Sequence, residues 1–240
     1  MASLKSLVRD KLSQLFFNEL TVESVRDVTP HFRQLQVAGD WLRTAQCGAG
    51  DKLQIMIADA GPRTYTPFAH DAAHGRLALL AYVHGTTPAA AWMERVRVGQ
   101  QFRAFGPRGS LPLGTGQGPV VFVGDETSIG AAAALHQARA ARDPLAFVFE
   151  CTDVVECELV LSDLGIAAFQ LVARQRGSAH LPALTAAIRR ALGEHTNAQL
   201  VLTGHAQAIQ GVRGLLKQEA VAIGGQKVKA YWADGKKGLD

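Results

Sequence analysis

The chain has 240 residues, 48% apolar and 19% charged, so it forms one large globular domain or two smaller ones and is neither disordered nor fibrous. Its 25 basic and 21 acidic residues give a formal charge of +4 without blocks of Lys and Arg, which argues against nucleic acid as a partner and favours a small anion. Cys47, Cys151 and Cys157 lack the spacing of a zinc ribbon or a cysteine-ligated cluster, so no metal site is expected.

In chain order, Leu4, Leu7, Val8, Leu12, Leu15 and Phe16 recur at helical spacing, which predicts an amphipathic helix within residues 1–20, docked ahead of the main fold. Lys5, Arg9, Asp10 and Lys11 interrupt the apolar core a signal peptide would need, and no later stretch approaches the roughly 18 apolar residues of a membrane span. A cytoplasmic protein with reduced thiols is expected. Residues 21–114 read as short strands broken by Gly, Pro and Asp, notably 52–58, 76–84 and 100–105, the texture of an antiparallel sandwich or barrel. In the first of these runs Leu53, Ile55 and Ile57 mark the core face. The stretch 111–119, rich in Gly and Pro, has no hydrophobic period and is placed at the domain boundary.

Residues 115–240 alternate apolar runs with helical patterns: strands at 120–123, 145–149, 168–173, 200–203 and 228–232, and helices at 129–141, 181–192 and 206–218. Such alternation predicts a doubly wound, parallel five-stranded nucleotide-binding domain after the barrel, an α/β unit joined to an all-β one.

Several motifs carry usable chemistry. In Arg63-Thr64-Tyr65-Thr66 an Arg can pair with pyrophosphate, an aromatic face can cover a flavin ring, and a Thr can hydrogen-bond the ring's redox-active nitrogen. The plainer alternative is a turn set by Pro67 with Tyr65 packed on the barrel. In the run from His84 to Trp92, Gly85 and Thr87 open a short helix at Pro88, Ala89 and Ala90 whose free N–H groups suit a phosphate; equally, Thr87 caps that helix and Trp92 is a core aromatic. Arg108 sits in a turn free to approach a phosphate. Gly124-Asp125-Glu126-Thr127 follows a buried strand, yet five residues separate Gly124 from Gly130 and Ala131 follows, so it is no phosphate loop. Asp125 and Glu126 are better suited to loop N–H groups or sugar hydroxyls. Arg174 and Arg176, after the third parallel strand, suit the extra phosphate of NADPH, with a solvated charged loop as the plainer alternative. His70 and His74 have the spacing of a zinc-protease helix but no amphipathic helix to carry them, and a loop between strands is the better assignment.

Together Arg63-Thr64-Tyr65-Thr66-Pro67, the loop from His84 to Trp92, Gly106-Pro107-Arg108-Gly109, Gly124-Asp125-Glu126-Thr127 and Tyr231-Trp232 resemble, in order, the siderophore-interacting protein family of the ferredoxin–NADP reductase superfamily. The resemblance runs from about residue 20 to 235. It implies FAD on the barrel, with Arg63 on phosphate, Tyr65 shielding the ring and Thr66 tuning it. It implies NADPH on the second domain, with NADH or ferredoxin as other candidate donors, and ferric iron in a siderophore as acceptor. Lys52 is expected on the substrate side, as are Lys236 and Lys237, which with Lys227 and Lys229 form a basic tail; a flexible solubilising tail is an equally economical reading. A general flavin or ferredoxin reductase, or a flavin-bearing siderophore-binding module, are the competing functions. Phe68 stands where family members often have Arg, Ala90 where many have Ser, and His205 where an acidic residue is usual.

Overall fold

The computed structural model describes residues 17–58 and 60–236, so the expected N-terminal helix lies almost wholly outside the described residues, as does Lys237. Seven strands, β1 (Asn18–Thr29), β2 (Phe32–Ala38), β3 (Lys52–Ile57), β4 (Gly61–Tyr65), β5 (Pro67–Asp71), β6 (Arg76–Tyr82) and β7 (Gln101–Arg108), form an antiparallel sheet in the order β4-β3-β7-β1-β2-β6-β5. Its edge strands β4 and β5 are consecutive and linked by Thr66 alone, so the sheet curls until its edges meet, and β4 also approaches β6. Leu53, Ile55 and Ile57 point inward as their alternation requires and meet Leu20, Val22, Leu35, Val37, Leu77 and Leu79. Each such burial contributes about 1.5–3 kcal/mol. The helix α1 (Pro88–Arg95) follows β6, capped by Thr87, whose side chain accepts from the Ala90 N–H.

Two stretches read as loops are strands. Arg63, Thr64 and Tyr65 belong to β4, and His70 belongs to β5, where its Nε2 meets the Leu42 carbonyl at 2.9 Å. His74 instead pairs with Asp71 at 2.7 Å on the following turn, so the two imidazoles serve different partners.

The second half alternates β8 (Val120–Gly124), α2 (Ile129–Arg139), β9 (Leu145–Cys151), α3 (Val154–Asp163), β10 (Phe169–Ala173), α4 (Leu181–Glu194), β11 (Gln199–His205), α5 (Ala206–Gln218) and β12 (Gly225–Trp232). All five strands are parallel, in the order β10-β9-β8-β11-β12. On β8, Val120 and Phe122 face α2 and α3, whereas Val121 and Val123 face α4 and α5, so both faces of the sheet are covered. Helix α3 has no counterpart in the sequence reading because its apolar residues form no single stripe: Val155 and Leu159 are 65% and 56% exposed. The strand order reverses direction between β8 and β11, which opens a crevice at their carboxyl ends.

The two halves share a core. Ile129 and the small residues Ala131 to Ala134 of α2 pack with Phe32, Phe68 and Leu80 of the barrel. The connecting segment is also held: buried Arg139 donates to the Gly118 carbonyl at 2.8 Å and pairs with Asp143 at 2.9 Å, and Lys227 Nζ donates to the Pro112 carbonyl at 2.5 Å. Among the described residues, no helix is long and apolar enough to cross a membrane.

Candidate functional site: a cleft between the barrel and the parallel sheet

The edge of the curled sheet and the carboxyl end of the parallel sheet face each other across a cavity of about 310 Å³. Strand β4 contributes Arg63, Thr64 and Tyr65, followed by the link residue Thr66. Strand β6 and the loop after it bring Leu80, Tyr82, His84 and Thr87, and α1 adds Ala89, Ala90 and Met93. From the opposite side come Thr127 and Gly130 at the start of α2, and Lys229, Tyr231 and Trp232 from β12. Lys52 and Ser110 complete the wall.

The aromatic walls are held from behind. Trp232 Nε1 donates to Asp125 Oδ2 at 2.7 Å, and its ring stacks on His205 at 4.0 Å and 17°. Asp125 is fully buried and also accepts from the Thr127 N–H at 2.9 Å, capping the turn ahead of α2. Burial pushes its carboxyl above the usual range against the pull of the Thr127 and Trp232 donors. Gly204 passes beside it with φ +96°, where a Cβ would lie 2.5 Å from Asp125 Oδ2, so only glycine fits. Tyr231 and the link residue Thr66 both line the cavity, so β12 and the barrel motif meet there. Burial pushes the phenols of Tyr65, Tyr82 and Tyr231 up to about 12, so all three stay neutral at physiological pH.

Arg63 reaches the cavity with Nη1 anchored on the carbonyls of Ala60 (2.6 Å) and Pro62 (2.9 Å). Of the other sequence candidates, Tyr65, Thr66, His84, Thr87, Ala89, Ala90, Thr127 and Lys52 line the same space. Gly85 and Pro88 lie in the loop and helix start alongside it, and Gly124 in the strand end beneath it. Trp92 turns away and packs edge-on against Phe102 at 5.6 Å, the core role its position allowed. Arg108 is also directed elsewhere: Nη2 donates to Gln54 Oε1 at 2.5 Å and the guanidinium lies 4.6 Å over Phe105.

The basic candidates of the second half divide. Arg174 is committed internally. Its Nη2 and Nη1 donate to Glu126 at 2.8 and 3.2 Å, Nη1 also reaches Thr152 Oγ1 at 2.7 Å, and Nη2 lies 3.7 Å from Glu150. Burial alone would push the Glu126 carboxyl up, but the Arg174 guanidinium holds it below the usual carboxylate range. Glu150 in turn pairs with His180 through a short contact, and His180 Nδ1 accepts from the Gln175 N–H at 3.2 Å. Arg176 lies exposed in the turn after β10. In the tail, Lys229 lines the cavity, Lys227 holds the connecting segment and Lys236 is exposed away from the wall.

Residues 58–111 match the model of the siderophore-interacting FAD-binding domain, and residues 118–235 match that of the siderophore-interacting protein. The chain belongs to the siderophore-interacting protein family. Its barrel is therefore the family's FAD-binding domain. Similar solved structures include a siderophore utilization protein from T. fusca, 23% identical with a TM-score of 0.71 over 93% of this chain and 95% of that one. SipS, a siderophore-interacting protein from Aeromonas hydrophila, is 19% identical with a TM-score of 0.73 over 92% of each chain. A ferredoxin NADP+ reductase from Neisseria gonorrhoeae, crystallised with FAD and NADP, is 15% identical with a TM-score of 0.70 over 90% of this chain and 99% of that one. These likenesses establish the shared fold. No curated protein matches the chain in sequence.

The residues present fit FAD. Tyr65, Leu80, Tyr82, Met93 and Trp232 supply flat or apolar walls for a ring system, and Arg63 with the Thr87-capped start of α1 supplies donors for phosphate. The family departures have structural reasons. Phe68 is 7% exposed inside the core shared by the two halves, so that position here serves packing between them. Ala90 is small and lines the cavity, while His205 supports Trp232 by stacking. Tyr82, Met93 and Ser110 had no signal in the sequence, since an aromatic ending an apolar strand reads as core. Tyr231 and Trp232 were visible only through the family resemblance.

Proposed function

We propose that this member of the family is an FAD-dependent NAD(P)H oxidoreductase whose acceptor is ferric iron held in a siderophore. The observation that carries the reading is the convergence on one cavity of the flavin motif (Arg63, Tyr65, Thr66), the β12 aromatics and two lysines from opposite halves, Lys52 and Lys229. The chemistry that FAD supplies when bound is exchange between a two-electron hydride donor and one-electron acceptors. The protein's own part is binding, orientation and exclusion of water. Arg63, already fixed on two carbonyls, presents charge to a phosphate. Tyr65 and Tyr82 give neutral ring faces, and Trp232, held by Asp125 and His205, closes the cavity on the nucleotide side. Thr66 and Tyr231 bring the barrel motif and β12 to the same cavity wall.

Lys52 and Lys229, in the wall of the same cavity, supply positive charge that favours an anionic ferric complex. Siderophore donors are hard oxygens that favour the ferric ion, so one-electron reduction weakens the complex and frees the iron. No protein nucleophile or general base is required. With Arg174 committed to Glu126, preference for NADPH over NADH rests on exposed Arg176, and the two donors are expected to differ modestly. Anaerobic turnover on ferric siderophores, read by a ferrous chelator, tests this reading beside quinone, free flavin and ferredoxin. Faster turnover on the siderophore supports it. Equal or faster turnover on the general acceptors, or siderophore binding without turnover, overturns it.

A further inference from the structure

Helix α1 is eight residues long, too short to hold itself, so its place beside the cavity depends on ties at its two ends. At the start, Thr87 Oγ1 accepts from the Ala90 N–H at 3.2 Å. At the other end the chain turns away: the Arg97 N–H, which a continued helix would give to the Met93 carbonyl, is donated to Gln100 Oε1 at 3.2 Å. Arg33 of the barrel takes over that role. Its Nη1 donates to the carbonyls of Met93 and Glu94, the latter at 2.7 Å, while its Nε pairs with Asp27. Arg33 stands on the interior strand β2, opposite Asp27 of β1 on one side and Ala81 of β6 on the other, and its side chain is 13% exposed. A guanidinium rooted inside the curled sheet thus grips the last turn of the helix that gives Ala89, Ala90 and Met93 to the cavity wall.

We propose that Arg33 is a positioning residue for FAD: by holding the carboxyl end of α1 on the barrel, it fixes where the Thr87-capped start of that helix presents its N–H groups to the cofactor's phosphates. The proposal rests on the reading of that start as the phosphate cradle. Arg33 stands outside the cavity wall, so it acts through the helix. Positive charge at the carboxyl end also suits the helix dipole and leaves the opposite end for an anion. Arg97 shares the Glu94 carbonyl at 3.1 Å, so the contact where Arg33 matters most is Met93, whose side chain lines the cavity.

Arg33→Met keeps the aliphatic stem and removes all of these bonds. Titration of flavin-free wild type and variant with FAD and with riboflavin, read by flavin fluorescence, tests the proposal. Arg33→Met should bind FAD about five- to tenfold more weakly, as follows if α1 holds its binding position for roughly a fifth to a tenth of the time. Riboflavin carries no phosphate and meets α1 only at its wall residues, so its affinity should change by no more than about twofold. Combined with Thr87→Ala, Arg33→Met should weaken FAD by less than the product of the two single factors, because both variants loosen one helix. Asp27→Ala, at a side chain 67% exposed, frees Nε without touching the core. It should weaken FAD by about two- to threefold, and it carries the test if Arg33→Met does not fold.

Unchanged FAD affinity in Arg33→Met or in Asp27→Ala, an equal loss for both flavins, or factors that multiply with Thr87→Ala would each overturn the proposal. Should riboflavin bind too weakly to titrate, the cycle with Thr87 decides. If wild type binds FAD no more tightly than riboflavin, the phosphate reading of α1 falls and the proposal with it. If wild type prefers FAD and Arg33→Met keeps the whole preference, the proposal alone falls.

Discussion

Replacing Arg174 by Met keeps an aliphatic stem and removes the guanidinium on which Glu126 depends. The Glu126 side chain is 3% exposed and Arg174 only 24%, so water cannot take over the lost partner. Glu150, 4% exposed, loses the same cation at 3.7 Å. Removing one partner of a buried ion pair costs about 3–5 kcal/mol. For a chain of this size the thermal midpoint should fall by roughly 6–20 °C at pH 7. In the native protein the depressed Glu126 carboxyl contributes stability above the ordinary glutamate range, and that contribution is lost as pH falls through the depressed value. Without Arg174, burial acts unopposed and raises the carboxyl, so the penalty is present at neutral pH and is relieved on acidification through the raised value. Scanning calorimetry of flavin-free Arg174→Met and wild type should therefore show a gap that narrows from pH 7 to pH 5. A midpoint within about 2 °C of wild type, or a gap independent of pH, would refute the assignment of Arg174 to an internal ion pair.

Arg63→Ala should bind FAD roughly 10- to 150-fold more weakly, the weight of a charge-assisted hydrogen bond; the ratio of flavin to protein absorbance after gel filtration reads this, and full occupancy contradicts it. Lys52→Ala and Lys229→Ala should raise KM for an anionic ferric siderophore at low ionic strength, and the difference from wild type should fade near 1 M salt, where screening acts within about 3 Å. An unchanged KM at low salt would remove these lysines from the substrate's approach. Arg176→Ala should reduce the preference for NADPH over NADH by no more than about fivefold, as befits an exposed charge. A larger loss would mean that the turn after β10 closes around the nucleotide.

What could be read from the sequence was what periodicity and turn chemistry report. The inward series Leu53, Ile55 and Ile57 and the apolar runs of the second half fixed the two sheet types, because side-chain alternation is local. The capping role of Thr87 was legible for the same reason. Strand β4 was not, since its five residues include Gly61 and Pro62 and depend on pairing with β3. Helix α3 was hidden by apolar residues on two faces. In the site, Arg63, Tyr65, Thr66, His84, Thr87, Ala89 and Ala90 line one cavity while Trp92 and Arg108 of the same motifs do not, and Tyr82 and Ser110 reach it only through tertiary packing. Arg174 shows the limit most clearly: its place after a parallel strand suggested a ligand phosphate, but its partner Glu126 lies 48 positions away in sequence.

The central claim is that the cleft bounded by Arg63, Tyr65, Tyr82 and Trp232 holds FAD where a reduced nicotinamide reaches it. Anaerobic absorption spectroscopy of the FAD-reconstituted protein tests it most directly. The account predicts a bound-flavin spectrum that bleaches on adding NADPH or NADH and returns on adding a ferric siderophore. Protein that takes up no FAD, or a bound flavin that stays oxidised with both nucleotides, would contradict it.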